Sequence, residues 1–167
     1  LGTLICALIT PVCLAIALLV KFSSPGPVLF KQYRNGRDGK RFKVYKFRSM
    51  TVHREANGTV TQAKPDDPRL TRLGAFLRRT SLDELPQFFN VLSGSMSTIG
   101  PRPERPIFVE QLSREIPFYQ TRHTVKPGLT GWAQVNTSYG SSYADSLEKL
   151  QYDLYYIKHR SVYLDIS

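Results

Sequence analysis

Two adjacent carboxylates, Asp83 and Glu84, lie in the run Arg78-Arg79-Thr80-Ser81-Leu82-Asp83-Glu84-Leu85-Pro86-Gln87, in a chain whose formal net charge is +10. An Asp in the first turn of a helix feels the helix's positive end and is expected to stay ionised, as a carboxylate that attacks phosphorus must. A neighbouring Glu can offer oxygen to Mg²⁺, which typically binds through one or two carboxylates plus substrate phosphates. The same acids also have a bland reading. Ser81 followed by Glu84 fits a capping box, with Asp83 complementing the helix dipole, although Pro86 makes such a cap irregular.

Gly100-Pro101-Arg102-Pro103 adds a second feature. Prolines on both sides stiffen the backbone, so Arg102 is held where a planar guanidinium can grip phosphate oxygens in pairs. Its bland alternative is a surface turn with a solvated Arg. Lys46, in Val44-Tyr45-Lys46-Phe47-Arg48, and Arg78 are further cations that gain meaning only if the fold brings them near Asp83. The single Trp, Trp132, follows a Lys126-Pro127-Gly128 turn and could be a core anchor, a membrane-interface anchor or a stacking platform.

The elements that must position these residues read as mixed and mainly helical. Val28 to Arg34 and Arg41 to Phe47 form strands around the Asn35-Gly36-Arg37-Asp38-Gly39 turn, giving a hairpin. The polar stretch His53 to Pro68 reads as a mobile loop suited to a lid, or equally as a plain connector. Apolar spacing predicts helices over Thr71 to Arg79, with Leu73, Phe76 and Leu77 on one face, and Leu82 to Leu92, with Leu85, Phe88, Phe89 and Leu92 inward. Two more are expected over Pro106 to Glu115 and Leu147 to Ile157, the last burying Leu150, Leu154 and Ile157.

Leu1 to Val20 carries no charge, and about 30 Å of helix would be enough to cross a hydrocarbon core. Thr10-Pro11 interrupts it; Pro11 removes a donor, and the Thr10 hydroxyl is a local partner for freed carbonyls. Physics leaves open a kinked spanning helix, a hairpin that enters and leaves by one face, or a buried helix of a soluble protein. The Ser23-Ser24-Pro25-Gly26-Pro27 breaker then divides residues 1–22 from a globular part over 23–167. Absence of a starting Met suggests a piece of a longer polypeptide.

The excess of 23 Lys+Arg over 13 Asp+Glu favours anionic partners: nucleic acid, an anionic membrane lipid surface or phosphorylated substrates. The basic residues are dispersed and match no nucleic-acid motif, which argues against nucleic acid. Cys6 and Cys13, about 10 Å apart along a helix, are too distant for a disulfide. His53, His123 and His159 lack metal-ligand spacing.

Five runs, in order, are similar to the bacterial sugar transferases, the monotopic phosphoglycosyl transferases. They are Tyr45-Lys46-Phe47-Arg48-Ser49-Met50, Ser81 to Gln87, Gly100 to Pro103, Lys126 to Asn136 and Tyr152 to Lys158. This resemblance implies an α+β, mainly helical fold with a small β-hairpin and an N-terminal re-entrant helix broken at Thr10-Pro11 and embedded in the cytoplasmic leaflet of the bacterial inner membrane. The family has Ser-Pro where this chain has Thr10-Pro11. The resemblance further implies transfer of a hexose-1-phosphate from a UDP-sugar to a polyprenyl phosphate, starting a surface polysaccharide. Asp83 would be the nucleophile and Glu84 the Mg²⁺ ligand, while Lys46, Arg78, Arg102 and Asp153 match positions at the family's active site. The run Lys149 to Asp153 is similar to larger members, which carry additional membrane helices and another domain. The oligomeric state, including a homo-oligomer, stays open. Two alternatives remain beside it. One is a non-catalytic basic module on a membrane surface; the other is a glycosyltransferase moving sugar without phosphate, which would release UDP instead of UMP.

Overall fold

The computed structural model describes residues 2–51, 67–137, 140 and 142–166. The chain order is α1 (Gly2–Ser23), β1 (Leu29–Asn35), β2 (Arg41–Phe47), α2 (Arg72–Arg79), α3 (Gln87–Leu92), β3 (Ser97–Ile99), α4 (Pro106–Glu115), β4 (Gly128–Thr130), α5 (Trp132–Asn136), α6 (Tyr143–His159) and α7 (Val162–Ile166). Short 3₁₀ turns occupy Arg37–Gly39, Leu82–Glu84 and Tyr119–Thr124. The class is α+β and mainly helical, with two small two-stranded sheets, β1-β2 and β3-β4. Two compact units divide the chain: 1–31 with 45–86, and 32–44 with 87–167.

The first unit is built on α1 and α2. Cys13, Ile16 and Val20 recur at helical spacing on α1 and form a cluster with Phe47 of β2 and Leu77 of α2. Leu8, Leu14, Leu18, Leu19 and Phe22 are exposed, the last at 85%. Pro11 lies inside α1 without dividing it into two helices. Among the described residues no helix is long and apolar enough to cross a membrane.

Arg48, directly after β2, closes the C-terminal end of α1. Its Nη2 donates to the carbonyls of Val20 (3.2 Å) and Ser24 (2.6 Å), and its Nη1 to that of Pro25 (2.7 Å). The last carbonyls of a helix have no intrahelical donor, and the proline-rich breaker supplies few N–H groups of its own. A buried guanidinium meets that need. α2 begins at its cap Thr71, whose Oγ1 accepts from the Gly74 N–H at 2.9 Å. Gly74 then lets α2 approach the Ser49 backbone so closely that a Cβ there would collide with the Ser49 carbonyl.

The second unit has its core where Val109 of α4, Ile116, Tyr119 and Leu150 of α6 meet. β3 and β4 pair in parallel, Ser97 opposite Gly128 and Ile99 opposite Thr130. A Cβ on Gly128 would strike the Gly100 backbone, so glycine is what lets these two segments meet. α6 starts with a true capping box, Ser142 with Asp145.

Several expectations need correction. The helix expected over Leu82 to Leu92 is a 3₁₀ turn followed, past Pro86, by the six-residue α3. Pro86 has no N–H to continue the ladder. α3 turns Gln87 and Asn90 inward and leaves Phe89 and Leu92 exposed, against the apolar reading, while Leu85 packs on the first unit's core as expected and Phe88 is half-buried. Asn90 Nδ2 donates to the carbonyl of Lys43 at 2.8 Å, so a polar residue there is satisfied and buried. On α6 Leu150 is buried and Leu154 packs against the same core as expected, but Asp153 and Tyr156 are the other buried positions and Ile157 is only half-buried, and on α2 Phe76 is exposed. The expected lid, His53 to Pro68, lies outside the described residues except for Asp67 and Pro68.

Candidate active site

In the first unit the structure brings Lys46, Arg78, Asp83 and Glu84 into one electrostatic neighbourhood. β2 presents Lys46 and α2 presents Arg78, while the Leu82–Glu84 turn carries both carboxylates. Lys46 Nζ donates to Glu84 Oε1 at 2.6 Å, with both side chains about one-fifth exposed. Arg78 Nε donates to Ser49 Oγ at 2.9 Å, which ties the guanidinium back to the segment after β2.

The capping-box reading of these acids fails. Ser81 adopts the left-handed region, φ 55° and ψ 14°, and its hydroxyl makes no capping bond. The Glu84 carboxylate goes to Lys46, and the link to Ser81 is the Glu84 N–H donating to the Ser81 carbonyl at 3.1 Å. A left-handed conformation costs a non-glycine residue on the order of 1 kcal/mol. Here it reverses the chain so that Asp83 points inward.

Asp83 is buried, with 7% of its surface exposed. Burial raises its carboxyl above the ordinary 3.8; Lys46 opposes the rise, Glu84 adds to it, and Arg78 opposes it. The expectation that a helix dipole would keep it ionised is therefore replaced. Lys46 and Arg78 offset part of the desolvation cost. Partial desolvation makes a carboxylate more nucleophilic, and the neighbouring cations could hold a phosphate within its reach.

Arg102 and Asp153 belong to the second unit, where a residue the sequence did not single out joins them. Arg122 Nη2 donates to the Arg102 carbonyl at 3.0 Å and lies 2.8 Å from Asp153 Oδ2, while Nη1 donates to Tyr119 Oη at 2.6 Å. Asp153 is 1% exposed. Burial raises its carboxyl, and Arg122 opposes the rise. No spacing rule links Arg122 to Asp153, and only their charges hinted at a pair. Thr10 and Pro11 lie inside α1 of the first unit.

Trp132 is half-buried, its ring 6.3 Å from that of Tyr155 at 23°, and Tyr155 in turn lies 4.2 Å from His159. With Glu148, Gln151 and Tyr152, the two aromatics line an open cavity of about 340 Å³.

Among the described residues, no group of three or more His, Cys, Asp and Glu side chains is placed to hold a metal ion. The donors at Asp83 and Glu84 are nonetheless hard carboxylate oxygens, two in number, which suits a cation that completes its shell with water and substrate phosphate.

The bacterial sugar transferase family model matches residues 1–167, and the chain belongs to that family. It is 56% identical, over 171 residues and its whole length, to the UDP-glucose:undecaprenyl-phosphate glucose-1-phosphate transferase of Escherichia coli (strain K12). It is 51% identical, over 95% of its length, to the UDP-N-acetylgalactosamine-undecaprenyl-phosphate N-acetylgalactosaminephosphotransferase of Aeromonas hydrophila. The chain spans 36% and 37% of those two proteins. Against the exopolysaccharide production protein PSS of Rhizobium leguminosarum bv. phaseoli it is 44% identical and spans 82% of that protein.

Proposed function

We propose that this chain is the catalytic part of a phosphoglycosyl transferase that moves a hexose-1-phosphate from a UDP-sugar to a polyprenyl phosphate, the first step of a surface polysaccharide. The observation that carries this reading is Asp83, buried on a strained turn between the cations Lys46 and Arg78. Family membership and the donors and acceptors named for the relatives support it.

In the first step an oxygen of the Asp83 carboxylate attacks the β-phosphorus, the one bearing the sugar. The bond from that phosphorus to the bridging oxygen breaks, and UMP leaves with the electron pair. In the second step an oxygen of polyprenyl phosphate attacks the same phosphorus, the acyl phosphate bond breaks and the Asp83 carboxylate returns. Lys46 and Arg78 supply positive charge where phosphate charge accumulates. Arg102, on its stiff loop, binds phosphate oxygens. Glu84 would hold Mg²⁺, which when bound supplies charge neutralisation for a diphosphate.

α1 is the membrane-embedded element, seated in the cytoplasmic leaflet of the bacterial inner membrane. Its exposed Leu8, Leu14, Leu18, Leu19 and Phe22 favour that placement, with Lys21 suited to anionic headgroups.

The test is intact-protein mass after incubation with radiolabelled UDP-glucose or UDP-N-acetylgalactosamine and Mg²⁺, without polyprenyl phosphate. Wild type should gain one sugar-phosphate and release UMP, and Asp83→Asn should gain nothing. With polyprenyl phosphate then added, an unmodified Asp83→Asn protein that turned over at the wild-type rate would refute the covalent mechanism, and release of UDP would mark a direct glycosyltransferase.

A further inference from the structure

The segment Pro101 to Glu104 belongs to no helix or strand, yet each of its carbonyls in turn is taken by a different donor. Pro101 accepts from the Gly128 N–H at 2.9 Å, Arg102 from Arg122 Nη2 at 3.0 Å, Pro103 from Arg34 Nη1 at 3.3 Å and Glu104 from the Asn35 N–H at 3.0 Å. Pro101 and Pro103 have no N–H to give, so the loop cannot brace itself and must be held from outside.

Of those donors, Arg122 is the costly one. Its guanidinium is 8% exposed, and taking a charge out of water is unfavourable unless partners surround it. Tyr119 Oη, the Arg102 carbonyl and the Asp153 carboxylate are those partners. A buried ion pair of this kind adds little net stability compared with an apolar pair of the same size. Its distinctive consequence is geometric: a rigid fork, locked by Asp153 and Tyr119, fixes the backbone of the residue that carries the Arg102 side chain.

We propose that Arg122 is a positioning residue for Arg102, and that Asp153 acts as the counter-ion that orients Arg122 and not as a ligand of substrate. This rests on the reading that Arg102 binds phosphate oxygens. Any substitution that frees the fork should then act on function through Arg102 alone.

The experiment is a double-mutant cycle on the full-length membrane protein. Arg122→Lys and Asp153→Asn are each made in wild type and in Arg102→Gln. UDP affinity is read by calorimetry, and UMP release over a UDP-glucose and UDP-N-acetylgalactosamine concentration series gives kcat and KM. In wild type each substitution should weaken UDP binding about tenfold, whereas in Arg102→Gln the loss should fall below about twofold. The drop in melting temperature should be equal in both backgrounds, which separates positioning from a general loss of structure. If Arg122→Lys does not fold, Tyr119→Phe removes one anchor of the fork and should give the same pattern in smaller measure. Losses that simply multiply across the two backgrounds would overturn the proposal, as would an undiminished Asp153→Asn loss in Arg102→Gln. Wild type that binds UDP but releases no UMP would sink the transferase reading while leaving the cycle on affinity decisive. Wild type that binds no UDP would remove the phosphate role of Arg102 and the proposal with it.

Discussion

Lys46 Nζ lies 2.6 Å from Glu84 Oε1, across 38 residues of sequence, and it also lowers the neighbouring Asp83 carboxyl against the pull of burial. One cation thus orients the Glu84 carboxylate and offsets part of the cost of burying Asp83. Four expected outcomes follow from the geometry around it and from two buried groups elsewhere.

Replacing Lys46 by Met should move the acid limb of the pH–rate profile to higher pH. On the proposed mechanism Asp83 attacks only as the carboxylate, and burial already raises its carboxyl above 3.8. Without Lys46 it rises further, so activity is lost earlier as pH falls and returns at the alkaline end. A profile of kcat/KM for UMP release, with an unshifted acid limb, would count against Asp83 as the titrating nucleophile.

Asp83→Asn should be inactive yet melt higher than wild type at neutral pH. A carboxyl raised by folding contributes stability that is present below its unfolded value and lost as pH rises through its folded value. Asn cannot ionise and avoids that loss. The gain should shrink toward zero as both proteins are melted at progressively lower pH.

Arg48→Met should destabilise the first unit by about 3 kcal/mol, because the carbonyls of Ser24 and Pro25 lose a charged donor and that of Val20 is left with the Ser23 hydroxyl. Chemical denaturation of the purified protein measures it. A change within about 0.5 kcal/mol, the range of ordinary surface substitutions, would mean that water replaces the guanidinium at no cost.

His123 gives a pH dependence of the opposite sign to Asp83. Burial first, and the adjacent Arg122 charge second, push its imidazole down to about 4 from 6.5. A depressed histidine stabilises the fold above its unfolded value, and that contribution drains away as pH falls from 6.5 toward 4. Its ring Nδ1 lies 3.1 Å from Gln120 Oε1, so the neutral ring is held in place. His123→Gln should abolish this part of the pH dependence. Subtracting its melting curves from those of wild type, pH by pH, isolates the effect from the carboxylates, and a flat difference between pH 6.5 and 4 would refute it.

Much of the architecture was legible because it is local. Arg41 to Phe47 alternates and lacks breakers, and Pro106 at the start of α4 is a helix-start signal, so both elements run as their residues suggest. The helix after Ser81 was misread because its apolar spacing outweighed Pro86, and because burial there serves Gln87 and Asn90, whose partners are remote in sequence. β3 and β4, three residues each, are too short to carry a period and exist through their mutual pairing.

Sequence alone determined which residue types were available: the adjacent acids, the Arg between two prolines, the surplus of cations and the apolar first segment, all of them properties of neighbours along the chain. Tertiary structure decided where each one sits and what it touches. It buried Asp83 behind a left-handed Ser81, sent Glu84 to Lys46 instead of to a helix cap, and set Arg122 between Asp153 and the Arg102 carbonyl. Those outcomes depend on desolvation and on charges brought within a few ångströms, and both are created only when distant segments pack together.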